Sequence, residues 1–275
     1  MADTADARSQ HGPSTAWPTL TAPAHWRCID FISDLHLQPD QPETFLALRH
    51  YLSHTPADAV FILGDLFEVW VGDDAASDEP AGFEARCAGT LRKASAAREV
   101  FFMQGNRDFL LGTIFAASCG MTLLDDPSIL HFAGQAWLLS HGDALCLADT
   151  DYLQFRALVH SPAWQSGFLG QPLAQRRTAA RALRQRSEAR RVASPAWVDV
   201  DDAEATRWLQ RAGADTLIHG HTHRPADHAL AHQLRRIVLS DWDLRAEPAR
   251  GQVLRIDAQA QMQRLGVHRA NLPAP

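Results

Sequence analysis

Residues 27–36 read RCIDFISDLH, and an apolar run of strand length ends there on Ser33-Asp34-Leu35-His36. A buried strand thus delivers an acid and an imidazole, two residues apart, at its carboxyl end. The same event recurs downstream. Residues 59–63 (AVFIL) end in Gly64-Asp65, and residues 100–103 (VFFM) end in Gln104-Gly105-Asn106-Arg107-Asp108. Between these runs, 42–53 carries Phe45, Leu48 and Leu52 at helical spacing, and the alanine-rich 80–97 suits a second helix. Strands separated by helices imply right-handed crossovers and a largely parallel sheet.

The second half continues the pattern with a change of hand. Residues 129–131 and 136–140 (AWLLS), joined by a turn at Gly134, read as a hairpin ending in His141-Gly142-Asp143. Further strands are expected at 216–219, 236–239 and 252–256, the last two paired antiparallel. Residues 150–195 carry no strand signal and read as helices broken at Pro162, Gly167, Gly170 and Pro172, an inserted helical cap. The expected division is a disordered extension over 1–24, one α/β domain over 25–260 with the cap at 150–195, and a tail over 261–275.

Composition bounds the partners. The chain has 275 residues, 46% of them hydrophobic, and a net charge of −6, which is not the balance of a dedicated nucleic-acid binder. The first 24 residues hold early acids and prolines and no apolar core, so no secretory signal is read, and no run reaches the length of a membrane span. Cys28, Cys87, Cys119 and Cys146 stand singly and read as reduced, buried thiols of a cytoplasmic protein.

Asp34 and His36, Asp65, Asn106, His141, and His221 with His223 each follow an apolar run. Ligands of α/β sheets bind beyond the carboxyl ends of strands, where such clusters converge. Residues i and i+2 of extended chain point the same way, so Asp34/His36 and His221/His223 each form a two-toothed arm. This inventory of oxygen and imidazole, without thiolate, suits Mn²⁺, Fe²⁺ or Zn²⁺. Seven ligands exceed the needs of one ion, and two ions sharing one carboxylate use them all. A two-ion site supplies hydroxide near neutral pH and clamps the oxygens of a phosphoryl transfer without a Ser or Cys nucleophile. Neither a GxSxG elbow nor a GxxxxGK[ST] phosphate loop is present. Imidazoles must be neutral to ligate, so activity is expected to fall below about pH 6.

The ordered set Asp34-x-His36, Gly64-Asp65, Gly105-Asn106-Arg107-Asp108, His141-Gly142-Asp143 and Gly220-His221-x-His223 resembles the calcineurin-like metallophosphoesterase superfamily. The resemblance implies a four-layer α/β/β/α sandwich. It places Asp34, His36, Asp65 and His223 on one ion, and Asp65, Asn106, His141 and His221 on the other, with His219 structural. FISDLHL (31–37), LGDLFEVWVGDD (63–74), GNRDFLLG (105–112), LSHGDALCLADTDYLQFR (139–156) and LIHGHTHRP (217–225) resemble one branch, the UDP-2,3-diacylglucosamine pyrophosphatases of lipid A biosynthesis. That branch implies hydrolysis of the UDP-sugar pyrophosphate at the phosphorus next to uridine, yielding UMP and 2,3-diacylglucosamine 1-phosphate (lipid X). Its cofactors would be two divalent cations, Mn²⁺ first among them. Arg107 stands where many relatives carry a proton-donating histidine. It offers a fixed charge and a bidentate fork but no exchangeable proton. Catalytic roles fall on Asp65, Asn106, Arg107 and His141. Substrate contacts fall on Asn106, Arg107, Asp149, Tyr152, Arg184, Ser187 and His221, with Arg191 nearest to the position where the branch carries an Asn. An alternative is a metal-dependent phosphodiesterase acting on another nucleotide or on nucleic acid.

The cap adds a reading of its own. Arginines 176, 177, 181, 184, 186, 190 and 191 face one acid, Glu188, and follow Leu158, Val159, Trp164, Phe168, Leu169 and Leu173. Arginine beside exposed apolar residues fits an anionic membrane interface. The expectation is a monomer, peripheral on the cytoplasmic face of the inner membrane, holding acyl chains in an apolar cavity. Trp70, Phe109, Phe155 and Phe168 are the wall candidates, and no nucleic-acid partner is expected.

Overall fold

The computed structural model describes residues 17–79, 81–193 and 198–267, with side chains throughout except at 185–193. Its strands are β1 (Thr19–Thr21), β2 (Cys28–Ile32), β3 (Ala59–Leu63), β4 (Glu99–Met103), β5 (Thr122–Leu124), β6 (Ser128–Phe132), β7 (Gln135–Leu139), β8 (Thr216–His219), β9 (Ala226–Ala229), β10 (Arg235–Val238), β11 (Gln252–Asp257) and β12 (Met262–Gly266). They form two six-stranded sheets, in the orders β12-β11-β2-β3-β4-β5 and β1-β6-β7-β8-β10-β9. Strands β2 to β5 are parallel, as the crossovers require.

Strand alternation divides the side chains among three apolar layers. Ile29, Phe31, Ala59, Phe61, Leu63, Phe101 and Met103 meet Leu130, Trp137, Leu139, Ile218 and Ile237 between the sheets. Cys28, Ile32, Val60, Ile62, Val100 and Phe102 face outward under α1 (Pro42–His54), the single turn α2 (Ala75–Asp78), α3 (Phe83–Ser95) and α4 (Thr113–Cys119). On the far side Leu138 and Leu217 lie under α8 (Asp202–Ala212), through Ala205 and Leu209. The result is an α/β/β/α sandwich. The segment from 150 to 193 forms α5 (Thr150–Val159), α6 (Pro162–Leu169) and α7 (Leu173–Ala193), with no strand.

Three expectations need correction. Residues 236–239 and 252–256 do not pair. β10 lies parallel to β8 in one sheet, while β11 lies antiparallel to β2 in the other. Both strands are half apolar and carry a buried arginine, so their pattern does not choose a sheet; the partner of Arg255 does. Its register partner is Asp30, to which it donates from Nε at 2.7 Å and Nη2 at 2.8 Å, and Tyr51 and Thr55 donate to the same carboxylate at 2.8 and 2.7 Å. That buried acid lies in the first sheet, and leaving either charge unpaired would be costly. The end of the 1–24 extension is also structured: β1 runs parallel to β6, and Trp17 packs on Trp208 under the Arg211 guanidinium. Residues 1–16 lie outside the described residues. Part of the 261–275 tail is likewise structured, since β12 completes the first sheet.

Candidate metal centre

The loops leaving β2, β3, β4, β7 and β8 meet at one edge of the sandwich and fasten one another. Asp34 N donates to Gly64 O at 3.1 Å, His36 N to Asp65 O at 3.0 Å, and Gly220 N to His141 O at 2.9 Å. The His221 N–H points at both oxygens of Asp34, at 3.1 and 3.0 Å. Asp108, buried behind them, accepts from the backbone of Leu66 at 2.7 Å and Gly105 at 2.8 Å, with longer contacts from Asp65 and Phe67. One carboxylate thus knots the loops after β3 and β4, which is what the last residue of GNRD does.

Asp34, His36, Asp65, His221 and His223 all have φ between 49° and 66°. L-residues avoid this left-handed region, at a cost of about 1–2 kcal/mol each. Five strained residues at one rim are tolerated because the interloop hydrogen bonds over-determine them. Two glycines make the approach possible. A Cβ on Gly105 would collide with the Asp65 carboxylate, and one on Gly220 would collide with Asp34 and Ser33.

The side chains gather into two groups. Ligand atoms of Asp34, His36 and His223 lie within 4.8 Å of one another, and so do those of Asp34, Asp65 and His141. Asp65 faces both groups: its Oδ2 is 3.9 Å from His36 Nε2 and its Oδ1 is 3.7 Å from His141 Nε2. The Asn106 amide oxygen sits 2.9 Å from His141 Nε2 and 2.8 Å from His221 Nδ1. His141 donates from Nδ1 to Leu63 O at 2.9 Å, which leaves the Nε2 lone pair of the neutral ring turned to the centre. His36 Nε2 and His223 Nε2 approach to 3.2 Å, and His223 Nε2 is 3.3 Å from Asp34 Oδ1. Lone pairs of carboxylates and imidazoles converging in this way fit a divalent cation bound by oxygen and nitrogen. His219 stands behind them, buried, its Nδ1 on Gly220 O at 2.9 Å.

The electrostatics follow from this crowding. Burial alone would raise the Asp34 carboxyl, but His223, His141 and His36 hold it well below the usual carboxylate range. Burial opposes protonation of His141, yet Asp65, Asp34 and Asp143 lift it to about 9. For His221, burial and then the neighbouring His141 push the value down to about 4.

The residues expected to contact substrate are spread more widely. Arg107 N donates to Asp65 Oδ1 at 2.8 Å, and its Nε is buried without a hydrogen-bond partner. The Tyr152 ring lies 6.1 Å from that of His221 at 28°, and its hydroxyl donates to Asp143, to which Arg156 Nε also donates at 2.8 Å. Asp149 is exposed and serves as the N-cap of α5, accepting from Tyr152 N at 3.0 Å. Arg184 on α7 forms an ion pair with Glu68. Ser187 and Arg191 also lie on α7, but their side chains fall outside the described residues. Trp70 is buried against Phe67 and Phe115, and Phe168 stacks on Trp164 inside the helix-side core. Phe109 stacks on His160, and Phe155 is partly exposed.

Three carboxylates at the site carried no assignment in the sequence reading. These are Glu68, whose Oε2 is 3.0 Å from His36 Nδ1, Asp143, and Asp241, 3.9 Å from His223 Nδ1. Glu68 and Asp143 stand inside the quoted motifs LGDLFE and SHGDA, which was the signal available.

The fold and the convergence of ligands at strand ends define a metal-dependent phosphoesterase, and the chain belongs to the calcineurin-like phosphoesterase family, whose family model matches residues 29–225. That membership makes it a hydrolase of phosphoester or phosphoanhydride bonds that binds divalent metal. More narrowly, the chain is 46% identical over 241 residues to the UDP-2,3-diacylglucosamine hydrolase of Stenotrophomonas maltophilia, covering 83% of this chain and 94% of that one. It is 43% identical over 236 residues to the protein of the same name from Chromohalobacter salexigens (83% and 93%). With that from Cellvibrio japonicus it shares 46% over 221 residues (77% and 90%).

Proposed function

We propose that this chain hydrolyses the pyrophosphate bond of UDP-2,3-diacylglucosamine, a step of lipid A biosynthesis, releasing UMP and 2,3-diacylglucosamine 1-phosphate. The observation that carries the reading is the Asp65 carboxylate, with one oxygen toward His36 and the other toward His141, in a chain whose relatives of that name match it over most of their length. Asp34, His36, Asp65 and His223 would hold one cation, and Asp65, Asn106, His141 and His221 the other. We assign both as Mn²⁺, which an oxygen and imidazole set accommodates. Bound there, two divalent cations supply an acidified water and neutralise phosphoryl oxygens.

The remaining groups position the substrate. Asn106, its amide oxygen between the His141 and His221 rings, would also meet an attacked phosphoryl oxygen. Arg107, its Nε still unpartnered, offers a fixed cation to the pyrophosphate. It cannot protonate the departing group, and a sugar phosphate leaves without needing a proton. Tyr152, at the cap edge of His221, and Arg184 would meet the sugar phosphate, with Asp149, Ser187 and Arg191 around them.

The arginines of the cap do not form one free basic face. Arg176 is buried and donates to Val71 O and to Asp74 Oδ1 at 2.9 Å, and Arg177 pairs with Asp78 at 2.7 Å. Arg181 and the exposed Leu158, Leu169 and Leu183 support docking on the cytoplasmic face of the inner membrane. We take the protein as a peripheral monomer there; among the described residues no helix is long and apolar enough to cross a membrane.

The test is product analysis of the Mn²⁺-loaded protein with UDP-2,3-diacylglucosamine in H₂¹⁸O, with Asp65→Ala as control. UMP carrying ¹⁸O, absent in the control, is expected. Cleavage of a generic phosphodiester without turnover of the lipid would retain the metal centre and discard the substrate.

A further inference from the structure

We infer that Glu68 is a positioning residue that joins the cap to the metal centre, its two oxygens fixing His36 in its ligating tautomer and Arg184 at the mouth of the site. This inference rests on the proposal that His36 is a metal ligand. Glu68 lies three residues beyond Asp65, and its backbone N–H donates to Leu37 O at 3.1 Å, so both rim loops set its position. Its side chain is 10% exposed and divided between two partners. Oε2 lies 3.0 Å from His36 Nδ1, and Oε1 pairs with Arg184 Nη1.

An ionised carboxylate only accepts, so the His36 proton belongs on Nδ1. The Nε2 lone pair then points inward, and Nε2 is the atom that faces His223 and Asp65. Metal-ligating histidines depend on such a partner at the other ring nitrogen. Arg184 pairs with the second oxygen from α7. The guanidinium is also the kind of group that a phosphate of the substrate would recruit. Glu68 therefore places a phosphate-binding cation of the cap and a ligand of the centre on one side chain.

The experiment compares Glu68→Gln, Glu68→Asp, Arg184→Ala and His36→Ala. Mn²⁺ binding to metal-free protein is measured by calorimetry, the His36 tautomer by ¹⁵N NMR, and kcat and KM on UDP-2,3-diacylglucosamine. Glu68→Gln is expected to weaken Mn²⁺ binding about 10–100-fold and to mix the His36 tautomers, with partial recovery in Glu68→Asp. Arg184→Ala is expected to raise KM and to change Mn²⁺ affinity by less than about threefold. Once Arg184 is absent, Glu68→Gln should raise KM little further, because paired residues are not additive. A silent Glu68→Gln beside a His36→Ala that loses a cation would overturn the inference and spare the ligand set. A silent His36→Ala would overturn the ligand set itself. Should Glu68→Gln fail to fold, an Nε2–H tautomer in the wild-type protein would still refute the inference.

Discussion

At the strand-end rim, the candidate ligands lie within a few residues of a strand, and the backbones of Asp34, His36, Asp65 and His141 are tied to a neighbouring rim loop at about 3 Å. In the cap, attachment is by side chains that reach across the chain. Arg176 finds Asp74 102 residues away, and Phe109 packs on His160 and Trp164. The rim is therefore specified by backbone geometry, with left-handed residues and glycines that leave no room for a Cβ. The cap is specified by ion pairs whose acid partners, Asp74 and Asp78, are about half exposed.

The sharpest way to break the rim is a single methyl group. Gly105→Ala places a Cβ against Asp65 Oδ1, the atom that faces His141. We expect kcat/KM to fall by roughly 10³-fold or more, since both the Asp65 backbone and the carboxylate proposed to bridge the cations must shift. The cap breaks differently. Asp74→Ala leaves the buried Arg176 guanidinium with two backbone carbonyls, Val71 O and Gln171 O, and no charged partner at Asp74. Stripping one partner from a buried ion costs about 3 kcal/mol, so the α7 amides should exchange about 100-fold faster. Mn²⁺ affinity should stay the same. A loss of metal binding in Asp74→Ala would show that cap and rim are one cooperative unit.

The two regions also differed in how far the sequence disclosed them. The rim was legible because its chemistry is local. An apolar run followed by Asp-x-His or Gly-Asp states both the strand and what it delivers. The pairing of β11 was not legible, because β10 and β11 both mix apolar residues with a buried arginine and the deciding contact, Asp30 with Arg255, spans 225 residues. The arginine run failed for the same reason. Read alone it is a basic surface, but the acids it pairs with, Glu68, Asp74 and Asp78, lie four strands earlier in the chain.

Acidity separates the regions on a smaller scale. In the metal-free protein His141 is lifted to about 9, so a cation must displace its proton, and affinity for Mn²⁺ should fall by up to about tenfold per unit as pH drops below 9. His221, pushed down to about 4, adds no such competition until far lower pH. The loss therefore begins well above the pH 6 suggested by ordinary histidines. Calorimetry in buffers of different protonation enthalpy should count the released proton, and finding none would refute the assignment to His141.

The mildest change tests the one aromatic that belongs to both regions. Tyr152 begins the cap, stacks over His221 and donates its hydroxyl to Asp143, which Arg156 also holds. In Tyr152→Phe the ring stays in place, and Asp143 loses one of its two donors, at about 1 kcal/mol. KM should rise no more than about fivefold, with kcat and Mn²⁺ affinity unchanged. Tyr152→Ala removes the ring as well and should cost several times more. If Phe proves as harmful as Ala, the hydroxyl rather than the ring carries the effect. The bond to Asp143 would then be given up when substrate binds, and the rim would be less fixed than its backbone suggests.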